Sequence, residues 1–219
     1  MALAPMMTNG IEEIKMKWEQ DLVRDIRTGT GYDDQDHTDG RIPHPNPQCW
    51  PWPEVTEANR AAVKEQFLKV RDTCKAILEI GVCRNKEESI THIFLDNKLD
   101  DTIYVGIDLD DKTFLNDPNK NIWTIQGSSS SVPEAMAIFK DLGITEFGFI
   151  FIDGWHSINQ VLTDWEYTQL LSADGIVGLH DTSTHPGPHI FVKALNKDIW
   201  DVQENVCPYD HGVGFARRK

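Results

Sequence analysis

Between residues 75 and 180 the chain repeats one pattern: a short apolar run, a polar break, then a segment with helical spacing. The apolar runs are "KAILEI" (75–80), "TIYVGID" (102–108), "NIWTIQ" (121–126), "FGFIFI" (147–152) and "GIVGL" (175–179). Their length and their β-branched and aromatic content predict strands. The intervening stretches "KEESITHIFLDN", "VPEAMAIFKDL" and "SINQVLTDWEYTQLL" predict helices, the last carrying Ile158, Val161, Leu162 and Trp165 on one stripe. Ser131 with Glu134, and Ser157 with Gln160, fit the capping box that satisfies exposed amides at a helix start. Strands apolar on both faces, alternating with helices, require a sheet covered on both sides. The expected fold is therefore α/β, doubly wound, with a mostly parallel seven-stranded sheet. The end departs from the pattern: "DIWDVQEN" and "GVGFARR" are joined by "VCPYDH" with no helix between them, which predicts an antiparallel hairpin at the sheet edge.

Upstream of the repeat, Ile11, Ile14, Trp18, Leu22 and Ile26 lie at helical spacing. A Gly-, Asp- and Pro-rich stretch follows, with five prolines between 43 and 53, which forbids a helix there. It reads either as a linker or, because Trp50, Trp52 and His44 are costly to leave in water, as a lid. A helix is expected over 55–71, with Thr56 as its cap and Val63, Phe67 and Val70 on one face. The division is thus residues 1–60, an N-terminal helix and Pro-rich segment, and residues 61–219, the α/β domain.

A formal charge of −14 repels phosphate backbones and anionic lipid, so neither nucleic acid nor a membrane is expected as partner. No apolar run approaches a membrane span, and "MALAPMMTNG" lacks the basic and apolar regions of a secretory leader. Cys49, Cys74, Cys83 and Cys207 form no CxxC pair, and their scatter favours reduced thiols and a cytoplasmic setting. Nothing in the sequence decides against a homo-oligomer.

In an open parallel sheet, ligands bind outside the carboxyl ends of the strands. Here every strand end is polar: Glu79 and Gly81 after the first, Asp108 after the second, "QGSSSS" after the third, "DGWH" after the fourth, and "HDTSTHPGPH" after the fifth. Each has an ordinary reading. Gly81 can simply end a strand, Asp108 can cap a helix, and the serines can form a polar loop. An acid ending the second strand is also the residue that holds a ribose diol in nucleoside-binding sheets.

The ordered set "LEIG", "GID", "QGSS", "FIDGWH" and "GLHDT" resembles the class I S-adenosylmethionine-dependent methyltransferases. Within them it is similar to the small-molecule O-methyltransferases of the catechol and macrolide-sugar type. The resemblance covers roughly residues 75–217; Asn85 stands where the family usually has a second glycine. It implies S-adenosylmethionine as cofactor and a small hydroxylated molecule or sugar as acceptor. Glu79 and Gly81 would face the methionine part, and Asp108 would hold the ribose hydroxyls. Ser129 and Trp155 would lie against the adenine, with Ser128 and Asp153 also in the cofactor site. Metal-dependent relatives place a carboxylate at the fourth strand end and two adjacent ligands at the fifth. Those positions are Asp153, His180 and Asp181, and the family's base position, three residues after the first ligand, is His156.

His180 stands where such relatives usually have a carboxylate, and imidazole shifts preference from magnesium toward manganese, iron or zinc. A bound divalent cation, magnesium, manganese or another, and a metal-free His180–Asp181 pair are both open readings. Zinc at His180, Asp181, His185 and His189 is disfavoured, because Pro186, Gly187 and Pro188 argue against a helical ligand face. Two other functions compete. One is a catalytically inactive nucleoside-binding or scaffolding domain of the same fold. The other is a nicotinamide oxidoreductase, which "GVCRNKEE" disfavours because it lacks the three-glycine phosphate loop.

Overall fold

The computed structural model describes residues 18–24, 26, 55–82, 89–207 and 210–219. Helix α1 spans Glu57–Val70, β1 Ala76–Ile80, α2 Ile90–Asn97, β2 Ile103–Asp108, β3 Ile122–Gln126 and α3 Val132–Asp141. They are followed by β4 at Phe147–Ile152, α4 at Ile158–Trp165, β5 at Leu171–His180 and α5 at Pro186–Ala194. Strands β6, Trp200–Gln203, and β7, Val213–Arg218, complete the chain. The seven strands form one sheet in the order β3-β2-β1-β4-β5-β7-β6. The first five run parallel, and β7 is antiparallel to both β5 and β6. The expected fold class and the antiparallel end are both present.

Alternation of side chains along each strand divides the core into two faces. Leu78, Ile80, Val105, Ile150 and Ile152 pack with Phe139, Ile158, Val161, Trp165 and Phe191 on one side. Ile77, Tyr104, Phe149 and Phe151 pack with Val63, Phe67, Ile93 and Phe94 on the other. There the rings of Phe67, Phe94 and Phe149 meet with centroids 5.4 to 5.6 Å apart. Truncating one such ring to alanine costs about 3–5 kcal/mol. Asp21 accepts a hydrogen bond from Trp165 Nε1 at 3.1 Å, and Val23 N donates to Ala194 O, which fastens residues 18–24 to α4 and α5.

Local signals succeed and fail for identifiable reasons. Thr56 accepts from Asn59 N and starts α1, and Ser157 accepts from Gln160 N and starts α4. Ser131 does not cap α3: its ψ of 56° lies outside the extended region a capping side chain needs. The stretch 157–171 is not one helix, because α4 ends at Trp165 and a 3-10 turn continues to Leu170. Helix α5 corrects the expectation of no helix at 186–188. Its prolines occupy the first turn, where the amide has no intrahelical acceptor and the fixed φ suits a helix.

Of the expected helix over 11–26, Trp18–Asp21 forms a 3-10 turn rather than part of an α-helix, and residues 11–17 and 25 lie outside the described residues. The Pro- and Trp-rich segment with His44, Trp50 and Trp52 lies outside them, as do Cys49, Cys83 and Asn85. Cys74 and Cys207 are free and buried, and burial pushes both thiols up to about 11. No helix among the described residues is long and apolar enough to cross a membrane.

Candidate active site

Parallel register turns separate strand ends into one row. Ile107 pairs with Ile80, Ile80 with Ile152, and Ile152 with Leu179. One residue further along each strand stand Asp108, Gly81, Asp153 and His180. The ladder runs one step into this row, with Gly81 N donating to Ile107 O and Asp153 N to Ile80 O. Beyond it the chains diverge and leave a cleft at the switch in strand order, between β1 and β4.

Gly81 has φ +82°, and a Cβ there would lie 2.0 Å from Asp153 O, so only glycine fits where the β1 tail crosses the β4 tail. Asp108 ties the neighbouring loops together: Oδ2 accepts from Val82 N at 2.7 Å and Oδ1 from Asp110 N at 2.8 Å. Glu79 lies at the cleft floor, with Thr91 Oγ1 donating to one carboxyl oxygen at 3.0 Å and Tyr104 OH to the other. Burial pushes its carboxyl up to about 8, against the lowering effect of those two hydroxyls.

The serine loop is anchored from α4. Gln160 Nε2 donates to Ser129 Oγ at 3.0 Å and to Asp164 Oδ1 at 2.8 Å, while Ser130 donates to Gln160 Oε1. Tyr167 OH donates to Ser129 O at 2.7 Å. Asp164 is buried behind this network, and burial pushes its carboxyl up to about 6 despite hydrogen bonds from Ser129 and Gln160. Gln160 was legible as a capping residue, but its bonds to the serine loop were not.

On the other side of the cleft, Asp181 is a carboxylate surrounded by imidazoles. His156 Nε2 lies 2.8 Å from Oδ2, His180 Nδ1 lies 3.3 Å from Oδ2, and His211 Nδ1 hydrogen-bonds Oδ1 at 2.9 Å. His180 Nδ1 also hydrogen-bonds Asp153 Oδ1 at 3.1 Å. Burial alone would lower the His180 pKa, but Asp153 and Asp181 hold it well above the ordinary histidine value. Burial alone would raise Asp181, but His180 and His156 hold it well below the ordinary carboxylate range. Asp181 itself has φ +61°, a conformation that non-glycine residues adopt at a cost and that clusters at functional sites. An imidazole next to a carboxylate can accept a proton and have its new charge stabilised in place.

A cleft of about 350 Å³ is lined by all ten residues singled out from the sequence: Glu79, Gly81, Asp108, Ser128, Ser129, Asp153, Trp155, His156, His180 and Asp181. Trp155, 56% exposed, and the still more accessible Leu109 both line the cleft. Asp153, His180 and Asp181 offer ligand atoms all within 4.8 Å of one another. His189 is turned away, bonded to Thr182 O and Lys193, so the four-ligand set ending in His189 does not assemble. Lys112, His185 and His211 also line the cleft; Lys112 and His211 were not singled out from the sequence, and His185 was weighed only as a zinc ligand. His211 comes from the β6–β7 connection, whose sequence signalled only a hairpin.

No protein-family profile and no curated protein sequence matches the chain. Solved structures share its fold. The apo structure of CalS11, a TDP-rhamnose 3'-O-methyltransferase of calicheamicin biosynthesis, aligns with TM-score 0.57 and 16% identity over 73% of this chain and 78% of that one. MycE, a methyltransferase of the mycinamycin biosynthetic pathway solved with Mg and S-adenosylhomocysteine, aligns with TM-score 0.52 and 17% identity. That alignment covers 72% of this chain and 48% of MycE, so the chain spans about half the length of that protein. An O-methyltransferase from Bacillus cereus in complex with S-adenosylhomocysteine aligns with TM-score 0.53 and 14% identity over 75% and 82% of the two chains. The fold is that of the class I S-adenosylmethionine-dependent methyltransferases, as the strand-end motifs implied.

Proposed function

We propose that the chain is an S-adenosylmethionine-dependent O-methyltransferase acting on a hydroxyl of a small molecule or sugar, with His156 as general base. One observation carries this reading. The nucleoside-type acid Asp108, the glycine turn at Gly81 and the His156–Asp181 pair all open into one cleft at the switch point of the sheet. The names of the structural neighbours, sugar and small-molecule O-methyltransferases, agree with it.

The cleft residues suit the cofactor. Gly127 lines the cleft with open space around its α-carbon, and Asp108 is held by two backbone amides, leaving a fixed carboxylate for a ribose diol. Bound, S-adenosylmethionine supplies an electrophilic methyl carbon. Ser128, Ser129 and Trp155 form the adenine end, Glu79 and Gly81 the methionine end, and the acceptor enters beside Asp153 and His156. His156 takes the hydroxyl proton, and Asp181, 2.8 Å from its Nε2, stabilises the resulting imidazolium. His211 holds the second oxygen of Asp181 and fixes the carboxylate's orientation.

The donor set Asp153, His180 and Asp181 also fits a divalent ion, one imidazole with two carboxylates suiting manganese, iron or zinc better than magnesium. Such an ion would orient and acidify the acceptor hydroxyl. Positioning the oxygen against the methyl carbon accounts for most of the rate in such a reaction.

The test has two stages. Calorimetry with S-adenosylhomocysteine is expected to show binding to the folded protein, and no detectable heat would refute the cofactor assignment. A mass-spectrometric search for hydroxylated compounds that gain one methyl then supplies the acceptor. With it, His156→Gln is expected to lower kcat by at least ~100-fold while leaving S-adenosylhomocysteine affinity unchanged. Retained turnover would assign the proton to another group.

A further inference from the structure

The mechanism uses His156 and Asp181 but leaves His185 unexplained. All three are buried, and each lines the cleft. His156 and His185 have ring centroids only 3.9 Å apart, and Asp181 Oδ2 is 2.8 Å from His156 Nε2. One ligand atom from each of the three lies within 4.8 Å of the others. Tetrahedral zinc with bonds of about 2.0–2.1 Å needs donors about 3.3 Å apart, so small side-chain rotations suffice to close the set.

The backbone holds this arrangement in advance. Asp181, in its left-handed conformation, curls the chain so that Thr184 N and His185 N both donate back to its own carbonyl oxygen. His185 is thereby returned beside the residue that precedes it by four. His156 is clamped from the other side, where Gly187 N donates to His156 O at 3.1 Å. A Cβ at position 187 would lie 2.1 Å from that oxygen, so glycine is what allows α5 to press against the His156 backbone. Outer partners are present as well: Asp181 Oδ1 accepts from His211, the kind of support that orients a metal-ligating carboxylate.

The geometry points to a second metal site, formed by His156, Asp181 and His185, that takes a late first-row divalent ion such as zinc or cobalt through two imidazoles and one carboxylate. Its remaining position opens on the cleft. It differs from the group of Asp153, His180 and Asp181 in ligands and in chemistry, being nitrogen-rich where the other is oxygen-rich. Only Asp181 belongs to both. An ion here occupies a nitrogen lone pair of His156, so the loaded site and proton acceptance by that ring are alternative states. That last consequence rests on the assignment of His156 as base; the metal site itself does not.

The experiment uses the full chain, stripped with chelator and titrated with cobalt chloride while the visible spectrum is recorded. S-adenosylhomocysteine calorimetry on the same preparation separates failure of this site from failure of the cofactor assignment. The expected result is a single equivalent of cobalt with the strong d–d bands of a four- or five-coordinate ion, bleached by zinc and unchanged by excess magnesium. His185→Gln and His156→Gln are each expected to weaken cobalt by at least ~100-fold, more than the loss of an outer partner costs. Asp153→Asn, which touches only the other group, is expected to leave bands and midpoint in place. Circular dichroism confirms folding, and if His185→Gln fails to fold, His156→Gln decides the assignment. Absence of the bands in the unmodified protein overturns the proposal. So does their loss in Asp153→Asn together with their survival in His185→Gln, which would place the ion in the other group.

Discussion

Replacing Glu79 by glutamine should change the pH dependence of stability more than stability itself. The carboxyl is buried beneath the cleft and receives hydroxyl hydrogen bonds from Thr91 and Tyr104. Burial, reinforced by the nearby Asp153 and Asp108, pushes its pKa up to about 8 from 4.5. The unfolded chain therefore releases this proton near pH 4.5, while the native protein keeps it to about pH 8. Across that window the native state binds more protons, so Glu79 makes stability fall as pH rises. A difference of this size corresponds to roughly 3–5 kcal/mol between the two ends of the window. Glutamine has the shape of the protonated acid and does not titrate. Its amide can donate to one hydroxyl and its oxygen can accept from the other. All remaining titrating groups are common to both proteins and cancel in the comparison. Urea denaturation followed by tryptophan fluorescence, at intervals from pH 4.5 to 9, should show the two proteins close in stability at the acid end. Glu79→Gln should then gain steadily, levelling off above about pH 8. A stability difference that does not vary with pH, or one that shifts in favour of the unmodified protein, would refute the buried-acid argument.

Two further substitutions probe the strand-end row. Gly81→Ala combines a left-handed φ, costing about 1–2 kcal/mol for a residue with a side chain, with a Cβ placed 2.0 Å from a backbone oxygen. A thermal scan should show a clear loss of stability, and S-adenosylhomocysteine binding should disappear with it; an unshifted transition would contradict the crossing of the β1 and β4 tails. Asp108→Ala removes the acceptor of two backbone amides; Asp110 N is exposed and can turn to water, while the buried Val82 N left unsatisfied costs about 1–3 kcal/mol. Cofactor affinity measured by calorimetry should fall by at least ~10-fold, the equivalent of one charge-assisted hydrogen bond; unchanged affinity would remove Asp108 from the nucleoside site.

Much of this site was legible because it lies at strand ends. A strand buried on both faces announces itself by composition, and the first polar residue after it marks the carboxyl edge. In a parallel sheet with neighbours in register, those first polar residues fall side by side. Ile107, Ile80, Ile152 and Leu179 are aligned across the sheet, so Asp108, Gly81, Asp153 and His180 had to emerge together. Ser157 was equally legible, since its capping bond spans only three residues. Ser131 has the same motif without the bond, because backbone angles set by the serine loop override the local preference.

The illegible part depends on contacts that no local pattern encodes. His211 reaches Asp181 across 30 residues, from a connection whose sequence describes only its own turn. His185 was separable from its proline neighbours only once those prolines were seen to occupy the first turn of α5, where they cost nothing in hydrogen bonding. The left-handed turn at Asp181 carries the larger consequence. It ends a buried strand abruptly enough for consecutive residues, His180 and Asp181, both to line the cleft, with Asp181 shared by the two ligand groups. His180 faces Asp153 on the adjacent strand, while Asp181 is reached by His156 from the following loop and by His185 from the turn it creates. A regular continuation of β5 would alternate these two side chains across opposite faces of the sheet and separate the two groups. The unfavourable φ of one aspartate is therefore the feature that gathers acid and imidazoles into a single cleft, and the proposal of His156 as base depends on that convergence.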